Sequence, residues 1–133
     1  MLEAELQSGF PLLAVVNTSL LNWDSKASHP WVSILILKYE DTDNNGMPNK
    51  HDYELLNKIE DDMLLELKDS EACLNIGRQT AENEREIYFA SADFRKVSKV
   101  FYEVSQKYSE NFEIEYEIFK DKYWRTYERF MQN

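Results

Sequence analysis

Residues 31–39 read Trp31-Val32-Ser33-Ile34-Leu35-Ile36-Leu37-Lys38-Tyr39, WVSILILKY. Apolar and β-branched residues fill nearly every position, as they do in a strand covered on both faces, so this run predicts the centre of a sheet. The segments downstream decide the kind of sheet. From Asn49 to Lys68 the period becomes helical: Tyr53, Leu56, Ile59, Met63 and Leu67 fall three or four apart, with Glu60, Asp61 and Glu66 off that stripe. Ala72 to Thr80 and Arg85 to Ser91 are two β-like runs separated by Ala81-Glu82-Asn83-Glu84, a loop of hairpin length. Ser91 fits an N-cap, and Phe94, Val97, Phe101, Val104 and Tyr108 mark the buried stripe of a second helix. Phe112 to Ile118, FEIEYEI, alternates strictly, with Phe112, Ile114, Tyr116 and Ile118 on one side and Glu113, Glu115 and Glu117 on the other.

Counted from Trp31, the order is strand, helix, strand, strand, helix, strand. It predicts an α+β fold, a ferredoxin-like split β-α-β (β-α-β-β-α-β) antiparallel sheet with two helices on one face. Upstream, Leu12 to Thr18 (LLAVVNT) predicts an extra N-terminal strand that extends an edge, and NTSLLNW a helical turn capped by Asn17 or Thr18. Downstream, Trp124, Tyr127 and Phe130 or Met131 stand at helical spacing, so a short C-terminal helix is expected to pack back over part of the open sheet face. The 133 residues carry few glycines and prolines and no internal repeat, which predicts a single domain over residues 1–133.

With 43% hydrophobic residues the chain has enough apolar surface to fold, and the 30% charged residues are left for its solvated shell. A net charge of −10, from 25 acidic and 15 basic side chains, repels phosphate backbones and anionic lipid, and favours basic protein surfaces as partners. Neither nucleic acid nor membrane is expected to bind. Cys73, the one cysteine, lies in the apolar run ACLNIG and reads as a buried inert thiol. The N-terminus MLEAELQSGF has no basic n-region or apolar h-region, and no apolar run reaches about 18 residues. A soluble, cytoplasmic protein is the expectation.

The most site-like segment is Asp41 to Lys50, DTDNNGMPNK. Asp41, Asp43, Asn45 and Gly46 match positions one, three, five and six of an EF-hand loop, and Asp52 matches position twelve. The weak metal candidates are therefore Asp41, Asp43, Asn45 and Asp52. Against calcium, position twelve is one methylene shorter than the usual Glu, Pro48 interrupts the loop, and a strand leads in where an EF-hand has a helix. The competing reading is a turn with positive φ at Asn45-Gly46, followed by Asn49 as helix cap with Asp52 three residues on. His29 and His51 stand in no zinc-like spacing, and the three glycines are too far apart to cradle a phosphate. No nucleophile elbow or RNP1 pattern occurs, so no catalytic residue and no cofactor is assigned. Arg78 and Thr80 on one hairpin strand, and Arg85, Glu86 and Tyr88 on the other, are the polar residues that stand out; cross-strand ion pairs account for them as well as a ligand pocket does.

Together, PWVSILILKYEDTDNNGMPNK, IEDDMLLEL, IGRQTAENEREIYFAS and DKYWRTYERF resemble an uncharacterised bacterial family, domain of unknown function 695, from about Gly9 to Phe130. The most specific marks are Pro30-Trp31, Asn45-Gly46-Met47-Pro48, Gly77-Arg78 with Thr80, Arg85-Glu86 with Tyr88-Phe89, and Asp121 with Trp124. The resemblance implies a ferredoxin-like α+β domain and no reaction. The hairpin departs from the family pattern, with Ala81-Glu82-Asn83-Glu84 where a glycine is expected before the Arg-Glu pair. A more distant likeness, of fold alone, is to the regulator of ribonuclease E activity B, a small acidic protein that acts by binding a protein partner.

The leading expectation is a non-enzymatic protein-binding or regulatory domain, with a candidate binding patch at Trp31, Arg78, Arg85, Glu86, Tyr88, Asp121 and Trp124. A homodimer through the open sheet face or an edge strand is a further expectation. The alternatives are a small hydrolase-type enzyme using the polar group around Arg85, and a calcium-binding module at Asp41 to Asp52.

Overall fold

The computed structural model describes residues 2–5, 11–17, 28–40, 45–68 and 73–132. In chain order the elements are β1 (Leu2–Glu5), β2 (Pro11–Val16), β3 (Trp31–Lys38), α1 (Lys50–Lys68), β4 (Cys73–Ala81), β5 (Glu84–Ser91), α2 (Arg95–Lys107), β6 (Glu113–Lys120) and α3 (Arg125–Gln132). The six strands form one antiparallel sheet in the order β1-β2-β4-β5-β3-β6. The WVSILILK run lies inside it: every residue of β3 pairs with β5 on one side and with β6 on the other.

Because successive strand residues point to opposite faces, each strand divides its side chains between two cores. Leu35 and Leu37 of β3 join Ile87 and Phe89 of β5 on the face covered by α1 and α2, whose Leu56, Ile59, Met63, Val97 and Phe101 are fully enclosed. Val32 and Ile34 join Leu12, Ala14, Ile76, Tyr88 and Ala90 on the other face, under Trp124 and Tyr127 at the start of α3. At about 2 kcal/mol for each fully buried Leu, Ile or Phe, these two clusters supply the main cohesion of the domain. The sheet is thus covered fully on one face and in part on the other.

Several boundaries move for identifiable reasons. Ser91 ends β5, paired with Trp31 and Cys73, so it is not the cap of α2. That helix begins at Arg95, whose backbone N–H donates to Asp93 Oδ1 at 2.9 Å. The four-residue hairpin loop shrinks to Glu82 and Asn83, at φ +50° and +65°, because Ala81 and Glu84 already pair. Two successive positive φ values are the twist that a two-residue hairpin turn requires. On α1, Tyr53 is 44% exposed although it falls on the apolar stripe, and Glu60 is 7% exposed although it does not. Glu60 is drawn inward by Arg78, whose Nη1 lies 3.1 Å from Glu60 Oε2.

At the N-terminus β1 pairs outside β2, so the strand read from LLAVVNT is not the edge. The helical turn expected at NTSLLNW falls, beyond Asn17, outside the described residues. Within β4 the register shifts between Asn75 and Gly77, and a Cβ on Gly77 would come 2.3 Å from the Val15 carbonyl oxygen. Only glycine admits so close an approach of β2.

Candidate functional site

The alternation of β5 separates the candidate residues. Arg85 points beneath α1, whereas Glu86 and Tyr88 belong to the opposite face, so the three do not meet in one pocket. Arg85 is 2% exposed; its Nε donates to Thr80 Oγ1 at 3.1 Å and its Nη1 to Asn57 Oδ1 at 2.7 Å. Its guanidinium lies 5.6 Å from the centre of the Tyr53 ring. Burial, and next the neighbouring Arg78, push its pKa down, while Glu60 opposes that shift. These contacts fasten the first half of α1 to the β4-β5 hairpin, and Arg85 is too enclosed to serve an incoming ligand.

Asp121, Trp124 and Trp31 anchor α3 and α2. The Asp121 carboxylate accepts the backbone N–H of Arg125 at 3.0 Å and of Thr126 at 2.9 Å, two of the unpaired donors at the start of α3. Burial raises its pKa, but the hydrogen bonds from Thr126 and Arg125 and the charge of Arg129 outweigh that and hold it low. The Asp121 N–H in turn donates to the Pro30 carbonyl at 2.6 Å. Trp124, at φ +55° and 1% exposed, donates its indole N–H to the His29 carbonyl at 2.8 Å. Trp31 packs edge-on against Phe94 with ring centroids 4.9 Å apart. Each of these side chains is occupied in holding elements together.

Glu86 and Tyr88 remain, and the register places them in a larger arrangement. Residues paired across antiparallel strands share a face. Three rungs therefore lie side by side: Glu84-Lys38-Glu113, Glu86-Ile36-Glu115 and Tyr88-Ile34-Glu117. Two columns of carboxylates, on β5 and β6, flank the central column of Lys38, Ile36 and Ile34, about 10 Å apart across the sheet. Lys38 pairs with Glu115 at 3.3 Å. Tyr88 donates its hydroxyl to Glu86, and burial followed by that bond raises its pKa, so it stays a donor at neutral pH. Glu84 is pushed up by burial and then by the charge of Glu86.

The acidic field continues past the first rung into a recess of about 770 Å³, whose lining includes Glu40, Asp52, Glu82, Glu84, Glu110 and Glu113, with Lys38 as its cation. Of the calcium candidates, Asp41 and Asp43 lie outside the described residues. Asn45 and Gly46 take φ +56° and +88°, and the Gly46 carbonyl accepts hydrogen bonds from the Asn83 N–H and the Tyr39 hydroxyl. Asn49 Oδ1 accepts the Asp52 N–H at 2.8 Å as the helix cap. Among the described residues no group of three or more His, Cys, Asp or Glu is disposed to hold a metal. Burial pushes the Cys73 thiol up to about 12, which leaves it protonated and a poor nucleophile.

Residues that the sequence did not single out complete both faces. Asn57 and Glu60 hold the two arginines, and Gln79, Thr126 and Arg129 gather around Tyr88 and Glu117. Helical spacing places Tyr127 beneath α3, but which polar residue of that helix overhangs the sheet depends on its entry from the Asp121 turn. Among the described residues no helix is long and apolar enough to cross a membrane.

Comparison with known proteins agrees with the marks found in the sequence. The sequence model of a family of unknown function (DUF695) matches residues 7–132, nearly the whole chain, and the chain belongs to that family. No curated protein and no solved structure matches, so the likeness to the regulator of ribonuclease E activity B gains no support from them.

Proposed function

We propose that this member of a family without an assigned reaction is a non-enzymatic protein-binding domain whose partner offers an extended basic segment. The observation that carries the proposal is the lattice of Glu84, Glu86, Glu113 and Glu115 on the part of the sheet that α3 leaves open, continued by Glu117 at the margin of α3 and balanced on those rungs by Lys38 alone. Like charges held side by side repel one another, and opposite charges from a partner relieve that cost. β6 is also the last strand of the sheet, so its outward N–H and C=O groups stand ready to pair with an added strand. In such a strand, lysine or arginine at alternate positions would face Glu113, Glu115 and Glu117.

The same geometry weighs against a homodimer through β6. In a sheet continued across two copies, paired residues share a face, so the glutamate face of one copy would meet that of the other. A basic partner is favoured over a second copy. We also infer that the core from β3 to β6 is a ferredoxin-like split β-α-β unit, extended by β2 and β1. The order β6-β3-β5-β4 and the antiparallel pairing support it.

The test is a titration of a labelled peptide with alternating lysine and threonine into the wild-type chain and into a variant carrying Glu113→Gln, Glu115→Gln and Glu117→Gln. Saturable binding that weakens as salt is raised, and falls tenfold or more in the variant, is expected. Equal binding by both proteins would remove the acidic face from the proposal.

A further inference from the structure

Beside the open rungs, where α3 leans over the sheet, lies a cleft of about 380 Å³ lined by Ile34, Gln79, Tyr88, Glu117, Phe119, Thr126 and Arg129. Its size falls within the range of small-molecule sites, and its wall combines an apolar floor with a few converging polar groups. Ile34 and Phe119 supply the floor. Arg129 and Glu117 carry opposite charges into the same cleft, yet among the described residues no ion pair joins them. Both line the cleft beside Tyr88 and act on its hydroxyl, Arg129 favouring its ionised form and Glu117 opposing it. Arg129 Nη2 makes a long contact, 3.4 Å, to Thr126 Oγ1, which leaves most of its donor fork open.

We infer that this cleft binds a small zwitterion, a free amino acid or a dipeptide, with its carboxylate on Arg129 and its ammonium on Glu117. A guanidinium fork matches a carboxylate with two parallel hydrogen bonds, and the Glu117 carboxylate matches an ammonium. The apolar floor receives an aliphatic or aromatic side chain, and the Gln79 amide supplies further hydrogen bonds at the wall. A ligand bridging the two charges satisfies both at once, which neither inorganic anions nor simple amines do. This site shares Glu117 with the peptide-binding face and differs from it elsewhere: of the two readings Arg129 belongs only to the cleft, and Glu113 and Glu115 only to the open rungs.

The experiment measures the melting temperature and the heat of binding of the full chain against the twenty free amino acids, dialanine and dileucine. Each ligand that binds is then tested as its N-acetyl and its carboxamide derivative. Expected is a saturable rise in melting temperature with one group of apolar ligands, since a ligand of the native state stabilises it by mass action. Affinity should fall tenfold or more with either derivative and with Arg129→Gln or Glu117→Gln, and stay unchanged with Glu113→Gln plus Glu115→Gln. Circular dichroism of the Arg129→Gln chain, with Arg129→Lys as the variant that keeps the charge, shows that a loss is not unfolding. No binding by any member of the panel, or binding indifferent to acetylation or to Arg129→Gln, overturns the inference.

Discussion

Asp121 shows how a single side chain serves the fold here. Its carboxylate takes two backbone N–H groups at the start of α3, so Asp121→Ala should cost about 1 kcal/mol in urea unfolding at pH 7. The carboxyl is held low in the folded chain, so its contribution is complete above the unfolded value of about 4 and disappears as pH falls through the lower folded value. The same comparison repeated near pH 2 should therefore show a smaller difference; an equal cost at both pH values would point to packing instead. Asp121 and Trp124 stood out in the sequence, but the work of Trp124 was not legible there, because its indole bonds to the His29 carbonyl at the other end of the chain. Glu60 was hidden for a similar reason. Its polarity points outward, and only Arg78, brought beneath α1 by β4, turns it in.

At the scale of elements, what each stretch states by its own period survives. β3, α1, the hairpin strands and β6 follow from local alternation or helical spacing, which backbone geometry imposes on any chain. What depends on a neighbour does not: LEAE has no pattern that announces β1, and Ser91 looks like a helix cap until β3 claims it as a strand residue. The hairpin turn carries a prediction. Glu82 holds φ +50° without glycine's freedom, a conformation that costs an L-residue about 1 kcal/mol. Glu82→Gly should raise stability by about 0.5 kcal/mol, after the extra chain entropy of glycine is counted, as an increased urea midpoint with unchanged slope. A lower midpoint would show that the Glu82 side chain contributes more than its backbone strain removes.

For the whole molecule, the strand and helix order counted from Trp31 led to an α+β antiparallel sheet with three helices, and that is the architecture observed among the described residues. The candidate patch was not legible in the same way. Residues adjacent in β5 read as one group, but a strand sends them to opposite faces, and the columns of glutamate emerge only when β5, β3 and β6 are set in register. Composition gave the sign of the surface; register gives its shape. The proposed binding mode is most directly tested by hydrogen–deuterium exchange of the chain at low salt, with and without the alternating lysine-threonine peptide. Strand addition predicts that the peptide slows exchange along β6, from Glu113 to Lys120, and leaves β1 at the far edge unchanged. Protection confined to α1 and α2, or none in β6 under saturating peptide, would contradict it.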